Sequence, residues 1–332
     1  MRNLYFSNVP ASYRADLCRF LHGALDCEIC FQDPGHAETD FPLHRWTIQD
    51  VRPLIERYRP ALVFVPEFSP VALRALSLRK RFGFKVISFC DDSMDMISGH
   101  DFGWKHRLAR HFVPRRVDEL IVHSPAVRDW YWQRYGKGLV MPIIADERRV
   151  RPDLERVLPL SERLRPGDKP VVAFVGRLVG LKNVSALIRA FDPLKERAQL
   201  VIIGDGPERR KLASMAPEAL FAGMLSGDEL LAWYNLIDIL VLPSTQEAYG
   251  AVTGEALMAG AKVVVSRKAG SSSLVREGEN GFVVAPDNVA AMTECIDKLL
   301  KQVPVGRPLS LRENLLPCTF EAGIRDLLEA LK

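Results

Sequence analysis

Residues 237–266 read IDILVLPSTQEAYGAVTGEALMAGAKVVVS. Two apolar runs of strand length, IDILVL and KVVVS, bracket a polar loop and a short helical segment, ALMAG. Strand, loop, helix and strand in that order are the grammar of a parallel α/β unit. The loop PSTQEAYGAVTGE, residues 243–255, places Glu247 and Glu255 eight positions apart with Gly250 between them. Glycine lets a backbone come close to a ligand. A helix starting near Ala251 would aim its unpaired N–H groups back at the loop and make an anion seat there. Glu255 would then lie early in the helix, where a carboxylate can grip a diol. A Rossmann-like turn carrying two solvated acids is the plainer reading of the same loop.

Working outward, the same alternation recurs along the whole chain of 332 residues. Upstream, LYFSNV (4–9), ALVFVPEF (61–68), KVISFCDD (85–92) and ELIVHS (119–124) read as strands, with helical patterns between them. Between Ala145 and Pro170 the text turns to DERRVRPDLERVLPLSERLRPGDKP. Charge, proline and the loss of β-period mark a linker or domain edge there. A second series then follows: PVVAFVGRL, QLVIIGDGP, ALFAGML, the opening stretch and GFVV, each strand with a helix after it. The fold class is therefore α/β, with two tandem Rossmann-like, doubly wound domains facing across a cleft. Residues 1–150 form the first domain, which the terminal helix at 318–332 joins, and residues 151–317 form the second. Ligands of such sheets sit beyond the carboxyl ends of the strands. That expectation puts Asn8, the Pro66–Ser69 segment, Cys90–Ser93 and Ser124 on the rim of the first domain.

Composition bounds the function. The chain is 48% apolar and 26% charged with a net charge of +4, ordinary for a soluble globular protein. No apolar run is long enough to span a membrane, and MRNLYFSNVP reads as a first strand and not as a signal peptide. The six cysteines are scattered, and the lone Cys27-x-x-Cys30 has no second pair to complete a zinc site. Reduced, buried thiols in a cytoplasm are the expectation. Residues 101–116, DFGWKHRLARHFVPRR, gather Lys105, Arg107, Arg110, Arg115 and Arg116 against one acid. They read as a solvated helix face or as a peripheral seat on an anionic membrane surface. No nucleic-acid-binding module accompanies them.

Three turns in the second half carry residues suited to a nucleoside diphosphate. Gly176 and Arg177 end one strand, and Lys182 follows five residues after Arg177. Two cations on one turn can neutralise a diphosphate, Arg as a planar fork and Lys as a point charge. Gly204-Asp205-Gly206-Pro207 is a tight turn after the next strand, and the loop holding Glu247 and Glu255 follows a third. A glycoside hydrolase using the two glutamates is the competing enzyme class, but a neutral glycan needs no pair of cations. A nicotinamide enzyme lacks its GxGxxG after the first strand. A non-catalytic nucleotide-sugar binder is the third alternative.

In order and spacing, GRLVGLK, IIGDGP, FAGML, DILVLPS and the E-x7-E pair resemble the donor half of family 4 glycosyltransferases, which have the GT-B fold. The likeness is specific over about 170–285. It implies retaining transfer of a sugar from a UDP- or GDP-linked donor to an acceptor held by the first domain, with a glycan or lipid-linked acceptor expected. No other cofactor and no metal is implied. Arg177, Lys182 and Glu247 are its catalytic residues: the cations hold the departing diphosphate and Glu247 takes hydroxyls of the donor sugar. Gly176, Tyr249, Gly250 and Ala251 line the sugar and phosphates, Glu255 takes the ribose, and Gly206 with Gly223, Met224 and Leu225 borders the base. On the acceptor side the matching positions are Asn8, Glu67, Cys90 and Asp91, with Cys90 where many members have histidine. A cytoplasmic protein, peripheral on the inner membrane face, is the implied setting.

Overall fold

The computed structural model describes residues 2–8, 14–33, 39–99 and 104–332, the side chains of 104–106 excepted. The chain divides into two units, Met1–Ala145 with Glu321–Lys332, and Asp146–Phe320.

The first unit holds a seven-stranded parallel sheet: β1 (Asn3–Ser7), β2 (Cys27–Phe31), β3 (Leu43–Arg45), β4 (Leu62–Pro66), β5 (Lys85–Cys90), β6 (Glu119–Val122) and β7 (Leu139–Val140). Their order is β3-β2-β1-β4-β5-β6-β7. Alternate residues feed two buried layers, as the period of two requires. Leu4, Phe6, Val63, Val65, Val86, Leu120 and Val122 enter one core with Trp46 and Tyr131. Tyr5, Phe64 and Phe89 fill the other, with ring centroids 6.0–6.5 Å apart. Helices cover the sheet where their starts are capped: Ser69 and Ser93 accept from backbone N–H groups three residues on. The terminal helix, Phe320–Leu331, follows the amphipathic pattern of its sequence. Lys85 Nζ donates to the Leu331 carbonyl at 2.9 Å.

The second unit holds β8 (Val171–Val175), β9 (Gln199–Ile203), β10 (Leu220–Gly223), β11 (Ile239–Leu242), β12 (Lys262–Ser266) and β13 (Gly281–Val284). They form a parallel sheet in the order β10-β9-β8-β11-β12-β13. Every residue of β8 and β11 is buried, which is why those strands read as unbroken apolar runs. The charged stretch after Ala145, read as a linker or domain edge, begins at the boundary between the two units and folds into two helices, Glu147–Arg156 and Leu158–Leu164. Asp146 caps the first by accepting from the Arg148 N–H. Leu154, Val157 and Ser161 recur at helical spacing and are buried, and Asn235 donates to both the Leu154 carbonyl and Ser161 Oγ. Three inward positions among so many charges are enough to dock a helix but too few to give a strong periodic signal.

Candidate active site

In the second unit, backbone hydrogen bonds stitch the turns after β8, β9 and β10 to one another. The Gly176 N–H donates to the Ile203 carbonyl at 2.9 Å, Leu178 N–H to Asp205 O at 2.8 Å, and Gly204 N–H to Gly223 O at 2.7 Å. The packing leaves no room for side chains at the crossing. A Cβ on Gly204, whose φ is +130°, would stand 1.9 Å from the Gly176 carbonyl oxygen. A second set of bonds ties the Lys182 turn to the loop after β11. Thr245 N–H donates to Leu181 O at 2.9 Å, and Asn183 Nδ2 donates to the carbonyls of Pro243 and Pro286. The three turns singled out in the sequence are thus one connected edge.

On that edge Lys182 forms an ion pair with Glu247 Oε2, both side chains mostly buried, and Ser244 Oγ donates to the same carboxylate at 3.3 Å. Arg177 is exposed, and among the described residues no hydrogen bond or ion pair holds its guanidinium. Gly250 has φ +89°, and a Cβ there would lie 2.5 Å from the Leu242 side chain. The backbone conformation and the Leu242 side chain both favour glycine here. Ala251 precedes a short helix, Val252–Met258, whose first turns carry Glu255. Tyr234, itself buried, donates its hydroxyl to Glu255 Oε2. Burial pushes the Glu255 carboxyl above its ordinary value, and the tyrosine hydrogen bond pulls it part of the way back. Tyr249 is buried and its carbonyl accepts from Ser271 N–H. Gly206 backs onto the Leu178 carbonyl, and Met224 is 76% exposed beside the half-buried Gly223 and Leu225.

In the first unit the residues that follow β1, β4, β5 and β6 are Asn8, Glu67, Asp91 and His123. The sheet order makes those strands consecutive neighbours. Asn8 is exposed. Asp91 Oδ1 pairs with Arg14 Nη2 and lies 2.7 Å from His123 Nε2. His123 Nδ1 lies 2.8 Å from the Met141 carbonyl, an atom that only accepts, so Nδ1 carries a proton. Burial alone would raise the Asp91 carboxyl, but Arg14 and His123 hold it down at about 2. Glu67 has a left-handed backbone, φ +42°, and its own carboxyl is pushed up to about 7 by burial and by Asp91 and Asp92. Asp92 faces away into a buried pair with Arg110 at 2.7 Å.

Three expectations change here. Cys90, placed on the acceptor rim, is fully buried with Sγ 3.9 Å from the Tyr131 hydroxyl, and the half-buried position just after β5 belongs to Asp91. Arg110, counted among the surface cations of 101–116, is buried on Asp92. The stretch forms a helix over Trp104–Arg116. Arg107, Arg115 and Arg116 stay exposed beside Leu108 and Phe112, while 101–103 lie outside the described residues. Arg14 and His123 were not picked out in the sequence at all. Among the described residues no cluster of three or more His, Cys, Asp or Glu is placed to hold a metal, and no helix is long and apolar enough to cross a membrane.

Residues 169–302 match the family model described as glycosyl transferases group 1. The chain is 36% identical over 170 residues to the GDP-mannose-dependent alpha-mannosyltransferase of Corynebacterium glutamicum, covering 51% of this chain and 38% of that one. To the GDP-mannose-dependent alpha-(1-6)-phosphatidylinositol monomannoside mannosyltransferase of Mycobacterium tuberculosis it is 28% identical over 273 residues, 75% of this chain and 69% of that one. The fold matches Anabaena HepE in complex with UDP and glucose, with TM-score 0.76, 17% identity and coverage of 100% and 99%. The lipopolysaccharide outer core galactosyltransferase WaaB superposes with TM-score 0.73 at 16% identity, covering 100% and 99%. The second unit thus resembles the glycosyl transferases group 1, and the fold of the chain is that of these GT-B structures.

Proposed function

We propose that the protein transfers a sugar from a UDP- or GDP-linked donor to a hydroxyl of a glycan or lipid-linked acceptor, with retention of configuration and without a metal. The single observation that carries this reading is the stitched edge of the second unit, where Lys182, Glu247 and the unengaged Arg177 come together. As the bond from the sugar to phosphate breaks, negative charge grows on the diphosphate. Arg177 and Lys182 are the groups that stabilise it, and fixed charges of this kind supply the largest share of such catalysis. Lys182 then exchanges its bond to Glu247 for one to phosphate, which frees Glu247 for hydroxyls of the sugar. Glu255 takes the ribose hydroxyls, Gly176, Gly250 and Ala251 give backbone contacts, and Gly206 with Gly223–Leu225 borders the base. Asn8, Glu67 and Asp91 serve the acceptor. Relatives named for GDP-mannose dependence and a structural neighbour holding UDP and glucose support a nucleotide-sugar donor.

The direct test is thermal melting against UDP, GDP, UDP-glucose and GDP-mannose. A ligand present at 100 times its Kd and bound only by the folded state adds about 2.7 kcal/mol. No rise in melting temperature with any of the four would remove the proposal. Binding with no nucleotide release would favour a non-catalytic sugar-nucleotide binder.

Tyr234→Phe gives a finer check. The phenyl ring keeps the packing, while Glu255 loses the donor that fixes its orientation. The donor KM should rise roughly 5-fold, the worth of a hydrogen bond of about 1 kcal/mol, with kcat nearly unchanged. An equal fall in kcat would place Glu255 in the chemical step instead.

A further inference from the structure

The connector between the helix Val289–Leu300 and the terminal helix has no regular secondary structure, yet it is tied to the second unit at one point after another. Arg307 Nε donates to Asp238 Oδ1 at 2.8 Å, and its Nη2 to the Asn235 carbonyl at 3.4 Å. Leu315 N–H donates to the Leu257 carbonyl at 2.9 Å. Arg312 lies between them. Gly260, with φ +78°, marks where this strap crosses: a Cβ there would stand 2.4 Å from Arg312 Cβ and 2.7 Å from the Glu313 carbonyl oxygen. A left-handed turn without a side chain is what lets two stretches of backbone come that close.

The guanidinium of Arg312 joins two helices. Its Nη2 donates to the Tyr234 carbonyl at 2.9 Å, in the helix Gly227–Leu236. Its Nε donates to the Ala259 carbonyl at 2.9 Å, at the end of the helix Val252–Met258. Its Nη1 lies 3.5 Å from Asp238 Oδ1, just before β11. The same two helices carry Tyr234 and Glu255, whose side chains meet in the hydrogen bond described above. A planar fork with donors in fixed directions sets both carbonyls at once, which a single ammonium could not do. Burial and the charge of Arg307 push the Arg312 pKa down, so a cation there is costly to keep. Asp238, shared with Arg307, offsets that cost. Asp238 precedes β11 and Ala259 precedes β12, so the clamp lies at the amino ends of the strands, on the opposite edge of the sheet from Lys182 and Glu247.

We infer that Arg312 is a positioning residue for the ribose end of the donor site: it fixes the helix of Tyr234 against the helix of Glu255 and so holds the Glu255 carboxylate where a ribose diol is taken. The inference rests on the reading of Glu255 given above. Among the described residues the Tyr234 hydroxyl is the one donor to that carboxylate. A shift of one helix along the other therefore moves the carboxylate with it. Losing Arg312 does not leave a buried charge alone, because Asp238 keeps Arg307 and the Val171 N–H. The effect of the clamp is thus expected in binding and not in whether the unit folds.

The test is titration calorimetry of UDP, GDP and their 2′,3′-dideoxy forms against the wild type, Arg312→Met, Glu255→Ala and the double variant. Methionine keeps an unbranched stem beside Gly260 and removes the donors, and a melt without ligand checks each fold. The wild type should bind UDP or GDP roughly 10-fold tighter than the dideoxy form. Arg312→Met should bind the ribose form about 5-fold more weakly, and the dideoxy form within about 2-fold of wild type. In the Glu255→Ala background the same substitution should change nothing further, because its effect passes through that carboxylate. Arg312→Lys, which reaches one carbonyl at a time, should fall between the two and carries the same test if the methionine variant does not fold. An arginine that only supports the fold would weaken both forms alike, or neither. Equal losses on both forms, no loss on either, or an undiminished loss without Glu255 would overturn the assignment and leave the ribose role of Glu255 standing. A wild type that binds the dideoxy form as tightly as the ribose form would overturn that role, and this inference with it. A wild type that binds neither UDP nor GDP would overturn the nucleotide-sugar reading on which both depend.

Discussion

Replacing Lys182 by alanine is expected to slow nucleoside diphosphate release from a donor sugar by about 100-fold or more. The side chain ends a short turn, Gly180–Lys182, that is hydrogen-bonded to the loop after β11 and so has little freedom to be replaced by a neighbour. Its ammonium meets the Glu247 carboxylate in the resting protein. The substitution therefore does two things, and they have to be separated. It removes a cation from the leaving phosphate, and it leaves Glu247 with only Ser244 to share its charge. Arg177→Ala supplies the comparison. That guanidinium is exposed and makes no hydrogen bond or ion pair among the described residues, so its loss should leave the melting temperature within experimental error and still cost a similar factor in rate. Single-turnover release measured beside a melt would read both effects. If Lys182→Ala folds and releases nucleotide at the wild-type rate, the lysine has no part in the departure.

Much of this architecture is legible in the sequence because parallel strands buried on both faces are simply apolar. VVAFV, QLVII, ILVL and KVVVS announce themselves, and they coincide with β8, β9, β11 and β12. What hides is polar for a local reason. In β2 the run CEICF is broken by Glu28, which is buried all the same because Arg2 and His44 pair with it. Neither that strand nor the three-residue β3 beside it was read from the pattern. The connected edge of the second unit was legible because its residues lie close together on three turns with recognisable spacing. Arg14 and His123 were not, for the opposite reason. They are separated by more than a hundred residues and meet at Asp91 only because β1, β4, β5 and β6 are neighbours in the sheet. His123 was absorbed into the run ELIVHS as a fifth strand residue, whereas the strand stops at Val122 and turns the ring onto the rim. Cys90 failed differently. It lies at the end of its strand, where the alternation turns it inward and leaves the half-buried place to the next residue.

Asp91 and Asp92 are adjacent carboxylates with separate tasks, and removing the second should unfold more than it disables. Asp92 is 4% exposed and accepts from Arg110 on one oxygen and from the Tyr131 hydroxyl on the other. Arg110 is equally buried and also donates to the Met96 carbonyl at 3.0 Å. Asp92→Ala takes the paired carboxylate from the Arg110 guanidinium and an acceptor from the Tyr131 phenol in the core of the first unit. Breaking a buried pair from one side costs about 3–5 kcal/mol, far more than the pair itself contributes. At about 2–4 °C per kcal/mol for a domain of this size, the first unit should melt roughly 10 °C lower. Changing both partners to apolar residues, as in Asp92→Leu with Arg110→Met, should recover most of that loss, since no buried charge is then left alone. The melting shift produced by nucleotide should survive in both proteins, because the cations assigned to the diphosphate are built into the second unit. Calorimetry with and without UDP or GDP would show it. A single substitution that melts with the wild type would mean that water reaches Arg110.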